Sequence, residues 1–156
     1  MLLLFGGGLS LAAAISRTGL AAWVGGLLST FSHWPLVILI ALAVLLIIFM
    51  TELASNTATA AAFLPILASV AIVGLGENPL LLAVPATIAA SCAFMLPAAT
   101  PPNAIVYGSE KFSIQQMARG GLFLNILFVF LVTAAVYALV IPILGIELGQ
   151  LPDWIS

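Results

Sequence analysis

The chain has 156 residues, five of them acidic and three basic, so 5 % are charged while 64 % are hydrophobic. A soluble domain carries about 25 % charged residues and must present a polar surface, so this composition, with a mean hydropathy of +1.34, defines an integral membrane protein. It excludes disorder, which goes with low hydrophobicity and high net charge, and ordinary nucleic-acid binding, because three cations cannot neutralise a run of phosphates. One cysteine, Cys92, excludes an internal disulfide framework, and one histidine, His33, leaves no His and Cys set for a metal cage. Cys92 follows Ser91 in an apolar run and reads as a small core-packing residue.

Residues 1–34 read as a membrane helix followed by an interfacial linking helix. Met1 leads at once into apolar residues and Gly6-Gly7-Gly8, without the basic region of a secretory leader. The chain is therefore expected to begin inside a hydrophobic segment, without a leader or soluble domain ahead of it, as part of a longer frame. The first segment covers residues 2–15 and closes at Ser16-Arg17-Thr18-Gly19. Residues 20–31 are uncharged and rich in Gly and Ala, with Trp23, His33 and Trp34 in or beside them. Amphipathic rings of this kind sit at the membrane–water boundary.

Residues 35–77 read as a re-entrant hairpin. Pro35 opens an apolar run over 36–50, which at 1.5 Å per residue reaches about 22 Å, short of the ~30 Å hydrocarbon core. It ends at Thr51-Glu52-Leu53-Ala54-Ser55-Asn56-Thr57, and a second apolar run follows over 58–73. Either both runs cross the bilayer around a surface loop, or they form a hairpin with its tip near mid-membrane. The short first run, and a connection with one acid and no Gly or Pro, favour the hairpin.

Residues 78–156 read as a discontinuous helix and a final span. The run over 80–96 meets Pro97-Ala98-Ala99-Thr100-Pro101-Pro102-Asn103 and resumes at Ala104. Pro101 and Pro102 remove two backbone donors, and Pro101 biases Thr100 away from helical geometry. Non-helical backbone at membrane depth persists only where protein buries it or a water-filled cavity receives it. Residues 108–121 form the most polar connection, and 122–144 a full span containing Asn125 and Pro142. Lys111 and Arg119 fall in that connection, which places it in the cytoplasm and the acidic tail outside; with Arg17 they are topological cations.

Two stretches carry chemistry. Ser55-Asn56-Thr57 has the pattern of a helix N-cap, and equally of an anion site in which unsatisfied N–H groups and the positive dipole end face the tip. Carbonyls near 51–54 suit a hard cation. The 97–103 break is either a packing kink or a second set of free carbonyls around a Thr hydroxyl. Discontinuous helices offering N-termini to an anion and carbonyls to sodium are the general transporter pattern. Glu52, an acid in an apolar region, is either a functional proton or cation group or a shoulder residue bonded to backbone.

The stretch from Thr51 to Ala60, with its Ser-Asn-Thr, resembles the hairpin-tip motif of the divalent anion:sodium symporter family, sodium-coupled carriers of dicarboxylates, citrate and sulfate. Ser91, Phe94, Pro97, Ala99, Asn103, Ile105 and Val106 resemble the family's signature before its last span, Ala98 departing where a branched aliphatic is usual. The resemblance covers nearly the whole chain and matches the C-terminal half of such a carrier: one all-α inverted repeat of an ion-transporter fold, in the cell membrane and multi-pass. It implies that Asn56, Thr57, Thr100 and Pro101 bind substrate, and that Thr51, Ala54, Asn56 and Ala99 hold sodium, mostly through carbonyls. Ser55 and Asn103 would support them.

The implied partners are a dicarboxylate, citrate or sulfate, Na⁺ as coupling ion with no bound cofactor, the lipid bilayer, a missing N-terminal half with its own Ser-Asn-Thr, and a second copy in a homodimer. The implied activity is sodium-coupled import; the alternatives are a dicarboxylate exchanger and a non-transporting fragment. An intramembrane enzyme using Ser55, Thr57 or Glu52 has no His or Lys in an apolar run to activate a nucleophile.

Overall fold

The structure, a computed structural model, describes residues 34–155 continuously and a few positions between 6 and 23. Most of the expected helices over 2–15 and 20–31 lies outside the described residues. From Leu36 onward the described chain is helical wherever it is regular. Among the described residues, three helical stretches are long and apolar enough to cross a membrane: Leu36–Leu53, Asn56–Leu75 and Ile114–Leu144.

Helix α1, Leu36–Leu53, starts behind Pro35, whose missing N–H costs nothing ahead of a first turn. It runs three residues past the apolar stretch 36–50, taking in Thr51 and Glu52, both buried. At 18 residues it is about 27 Å long, so the shortness that favoured a re-entrant arm is largely removed. Thr51 and Glu52 stay helical because distant backbone answers their polar groups. Thr51 Oγ1 lies 2.8 Å from the Ala90 carbonyl, and Glu52 is bonded to residues 94–96.

Ala54 and Ser55 are extended and turn the chain into α2, Asn56–Ser69. Pro65 sits inside α2 and removes one ladder bond. The helix then widens to π geometry over Val70–Leu75 and stops at Gly76, whose φ of 66° is the left-handed conformation glycine adopts without cost.

Helix α3, Leu80–Ala89, ends seven residues before the apolar run does. The break therefore begins at Ala90, well before Pro97. It closes where α4, Pro101–Gly108, begins, with Thr100 as N-cap and the two prolines in the first helical positions, where missing N–H groups are tolerated.

Helix α5, Ile114–Ala135, starts eight residues before the expected span, because Ser113 and Gln116 form a reciprocal capping box. The polar connection thus shrinks to the exposed turn after Gly108. The helix continues through Val136–Val140 and Ile141–Leu144, 31 residues in all. That is about 46 Å, more than the ~30 Å core, so its polar first turns extend past the apolar layer.

Helix α1 is the hub, packed against α2, α3 and α5. Ile40, Val44, Ile47 and Ile48 lie along one α1 face and meet Leu81, Ala86 and Ala89 of α3 and Val129, Val132 and Val136 toward the far end of α5. Burying each such side chain is worth about 1.5–3 kcal/mol against water, and in lipid the close fit itself favours association. Leu42 and Leu46 of α1 and Phe123 and Phe130 of α5 remain exposed, as faces turned to lipid or to further protein would be. At the far end, Gly149 of the tail donates to Glu77 over 2.9 Å, so the turn after α2 and the tail share one end of the molecule.

Candidate functional site

The tip between α1 and α2 meets the break between α3 and α4, and Glu52 joins them. Its Oε1 accepts from the N–H groups of Phe94 at 2.7 Å and Met95 at 2.9 Å, and its Oε2 from Leu96 at 3.0 Å. Asn125 of α5 donates through Nδ2 to Oε1 at 2.9 Å. One carboxylate thus takes up three consecutive donors that the break withdraws from helical pairing. Each would cost about 1–3 kcal/mol if buried unpaired. Of the two readings of Glu52, the backbone-bonded shoulder residue is the one observed.

Asn103, in the first turn of α4, satisfies carbonyls from the same break: Nδ2 donates to Ala93 at 2.9 Å and to Leu96 at 3.0 Å. Ala99 N–H turns back onto the Leu96 carbonyl at 3.1 Å. The segment 90–100 is irregular in backbone but fixed by side chains from α1, α4 and α5.

Thr51 is 0 % exposed, with Oγ1 2.8 Å from the Ala90 carbonyl and 2.6 Å from Asn56 Oδ1. A hydroxyl has one proton and cannot donate to both. Amide oxygen and nitrogen are assigned from their network. Turning the Asn56 amide over lets its Nδ2 donate to Thr51 while Thr51 donates to Ala90, which frees the Asn56 oxygen as an acceptor. In that arrangement Asn56 offers the cavity an oxygen, the atom a cation needs.

Ser55 precedes α2, yet its side chain makes no cap bond. Ser55 thus holds the N-cap position of α2 without a side-chain cap bond, and of the two readings of Ser-Asn-Thr the side-chain cap is not the one observed. Thr59 N–H is the first donor of α2 taken up locally, by the Ser55 carbonyl at 2.8 Å. The earlier N–H groups, Asn56 and Thr57 among them, have no partner among the described residues, and they carry the positive end of the helix dipole. Thr100 does cap α4, accepting from Asn103 N–H at 3.4 Å, and its own hydroxyl proton remains free to donate.

Tip and break together line an open cavity of about 810 Å³. Of the residues expected to bind substrate or sodium, it brings together Ala54, Asn56, Ala99, Thr100 and Pro101, with Ser55 and Asn103 beside them. Thr51 lies behind the wall, bonded to Asn56. Thr57 is exposed and does not line the cavity. Ala54 and Ala99 stand in non-helical backbone, where carbonyls escape the helical ladder and can serve a hard cation. A second cavity of about 530 Å³ between α1 and α5 is almost wholly apolar and does not suit an anion.

Residue-by-residue reading missed three contributors. Ser91 is exposed on the cavity wall. Asn125 was legible as a polar residue inside an apolar span, though not as a partner of Glu52. Gly121 has no local signal: a Cβ there would lie 2.3 Å from the Phe94 carbonyl oxygen and 2.5 Å from Met95 Cα, so only glycine lets α5 approach the break this closely.

Interrupted membrane helices meeting end to end around neutral donors are the architecture of secondary transporters. The chain belongs to the sodium:sulfate symporter family: the family model described as the sodium:sulfate symporter transmembrane region matches residues 1–145. It is thus a multi-pass membrane protein from a family of transporters, not enzymes. It is 47 % identical over 150 residues to the sodium-dependent dicarboxylate transporter SdcS of Staphylococcus saprophyticus, and 45 % identical over 150 residues to the transporter of the same name in Staphylococcus aureus strain MRSA252. Each comparison covers 96 % of this chain and 29 % of the relative, so the chain spans less than a third of their length.

Proposed function

We propose that this chain supplies the C-terminal substrate and sodium half-site of a sodium-coupled dicarboxylate carrier. Asn56 and Thr100, with Thr57 and Pro101 beside them, receive one carboxylate of the substrate. Thr51, Ala54, Asn56 and Ala99 supply oxygens to a sodium ion between tip and break. The observation that carries this reading is the uncapped start of α2: donors and a positive dipole end are left free at the wall of a cavity that Thr100 and Ala99 also line. Sodium between the carbonyls offsets their negative charge and fixes the tip, so the cation raises affinity for the dianion, and linkage makes the effect reciprocal.

We read α1 and α2 as a re-entrant hairpin. Helix α3 is about 15 Å long and α4 about 12 Å, so together with the break they amount to one interrupted crossing, with the break near its middle. Glu52 and Thr51 are bonded to that break and share its depth. The turn after α2 is tied to the tail, which supports a hairpin entering and leaving on the tail side. By the same reading, a second hairpin from the N-terminal part of the carrier opposes this tip and completes the substrate site.

The test is a chimera in which this chain replaces the matching segment of the S. saprophyticus transporter. Reconstituted in vesicles, it is expected to take up radiolabelled succinate in sodium and not in choline. A chimera that inserts normally but shows no sodium-dependent uptake, beside an active parent, contradicts the proposal.

A further inference from the structure

Taking the tip and the break as the sodium site of the carrier proposed above, we propose that Asn125 and Gly121 of α5 are positioning residues for that site. Asn125 acts through Glu52, and Gly121 by allowing α5 to close on the break. Neither residue lines the cavity, and neither would touch the ion.

Asn125 is 0 % exposed and donates through Nδ2 to Glu52 Oε1 at 2.9 Å. It is the one side-chain donor to that carboxylate among the described residues; the other donors are backbone. Its Oδ1 has no partner among them. A buried side chain with an orphaned acceptor is a worse occupant of an apolar helix than leucine, unless its donor is needed, and here the donor goes to a buried carboxylate.

From Glu52 the connections run to both sides of the site. On one side, Glu52 is next to Thr51 and two residues from Ala54 on the tip. On the other, Glu52 holds the Leu96 N–H, and the Leu96 carbonyl receives both Ala99 N–H and Asn103 Nδ2. Asn125 thus fixes the group that sets the spacing between tip and break. Coordination requires such spacing to hold within about 0.5 Å. Gly121 lies one helical turn before Asn125, where a side chain would collide with the Phe94 carbonyl and force α5 away from the residues Glu52 binds. The same face of α5 therefore supplies a close approach and a hydrogen bond, both aimed at the break.

The experiment compares Asn125→Leu, Asn125→Gln and Gly121→Ala in the full-length carrier. It measures half-activation by sodium, substrate KM at saturating sodium, maximal rate per inserted carrier, and the rise in thermal midpoint that sodium alone produces in the purified protein. Asn125→Leu, which keeps the branched shape and loses the donor, is expected to raise the sodium half-activation about fivefold or more and shrink the sodium-induced rise. Substrate KM at saturating sodium stays unchanged. Asn125→Gln, which keeps a donor, recovers most of the sodium affinity. Gly121→Ala moves in the same direction as Asn125→Leu; if it fails to insert, the Asn125 pair decides alone. Wild-type sodium activation in Asn125→Leu overturns the inference. So do equal losses for sodium and substrate with no recovery in Asn125→Gln, which mark a packing role. A wild-type carrier indifferent to sodium overturns the underlying function, and this inference with it.

Discussion

Asn103 donates to the Leu96 carbonyl over 3.0 Å, and the same amide nitrogen reaches Ala93 over 2.9 Å. One side chain at the start of α4 thereby closes a gap in the membrane helix that α3 leaves open. Asn103→Leu keeps the branched shape, strands the Ala93 carbonyl at a cost of about 1–3 kcal/mol, and leaves Leu96 with Ala99 N–H as its remaining donor. The thermal midpoint in detergent is expected to fall by several degrees; an unchanged midpoint contradicts this role.

Glu52 serves the donors of the same break. Glu52→Ala leaves three consecutive N–H groups and Asn125 Nδ2 without their acceptor, and is expected to destabilise more than Asn103→Leu. Glu52→Gln keeps one carbonyl oxygen but turns an NH₂ toward a donor, so it recovers only part of the loss. Yield of monodisperse protein and thermal midpoint check the order wild type, Glu52→Gln, Glu52→Ala. A wild-type midpoint in Glu52→Ala contradicts the clamp.

Asn56 lines the cavity and Thr57 does not, which separates two neighbours of the same motif. Asn56→Ala removes a proposed oxygen for sodium, and with the ion the fixed tip on which substrate affinity depends, and is expected to abolish uptake while insertion continues. A hydrogen bond to a charged group is worth about 1.5–3 kcal/mol. Thr57→Ala removes a hydroxyl but not the backbone N–H, so its rise in KM is expected to fall below that range. Equal losses in the two variants would place the Thr57 hydroxyl on the substrate as well.

The sequence already carried the membrane class, the interrupted second half and the residues that meet in the cavity. Ser-Asn-Thr and Ala-Thr-Pro-Pro-Asn are local patterns, and each sits where the chain turns. The extents of α1 and α3 were not legible, because one non-local fact sets both. Thr51 and Glu52 extend α1 only by bonding to residues 90–96, and those residues leave α3 for the same reason. Ser113 and Gln116, by contrast, stand at the spacing of a capping box, so the early start of α5 was legible locally and hidden by hydropathy. The missing cap bond of Ser55 could not be inferred from a motif that usually caps.

The most direct test of the sodium-linked cavity uses Ser91→Cys with Cys92→Ala in the full-length carrier. Ser91 is exposed on the cavity wall and is not a proposed ligand, so labelling reads occupancy without disturbing it. The quantity measured is the rate of reaction with a membrane-impermeant maleimide, in choline or sodium, with and without succinate. Succinate in sodium is expected to slow labelling about fivefold or more, the lower end of ordinary coupling between two ligands, while succinate in choline leaves the rate unchanged. Equal protection in both salts, or none in either, contradicts a site in which sodium and the dicarboxylate share the tip and the break.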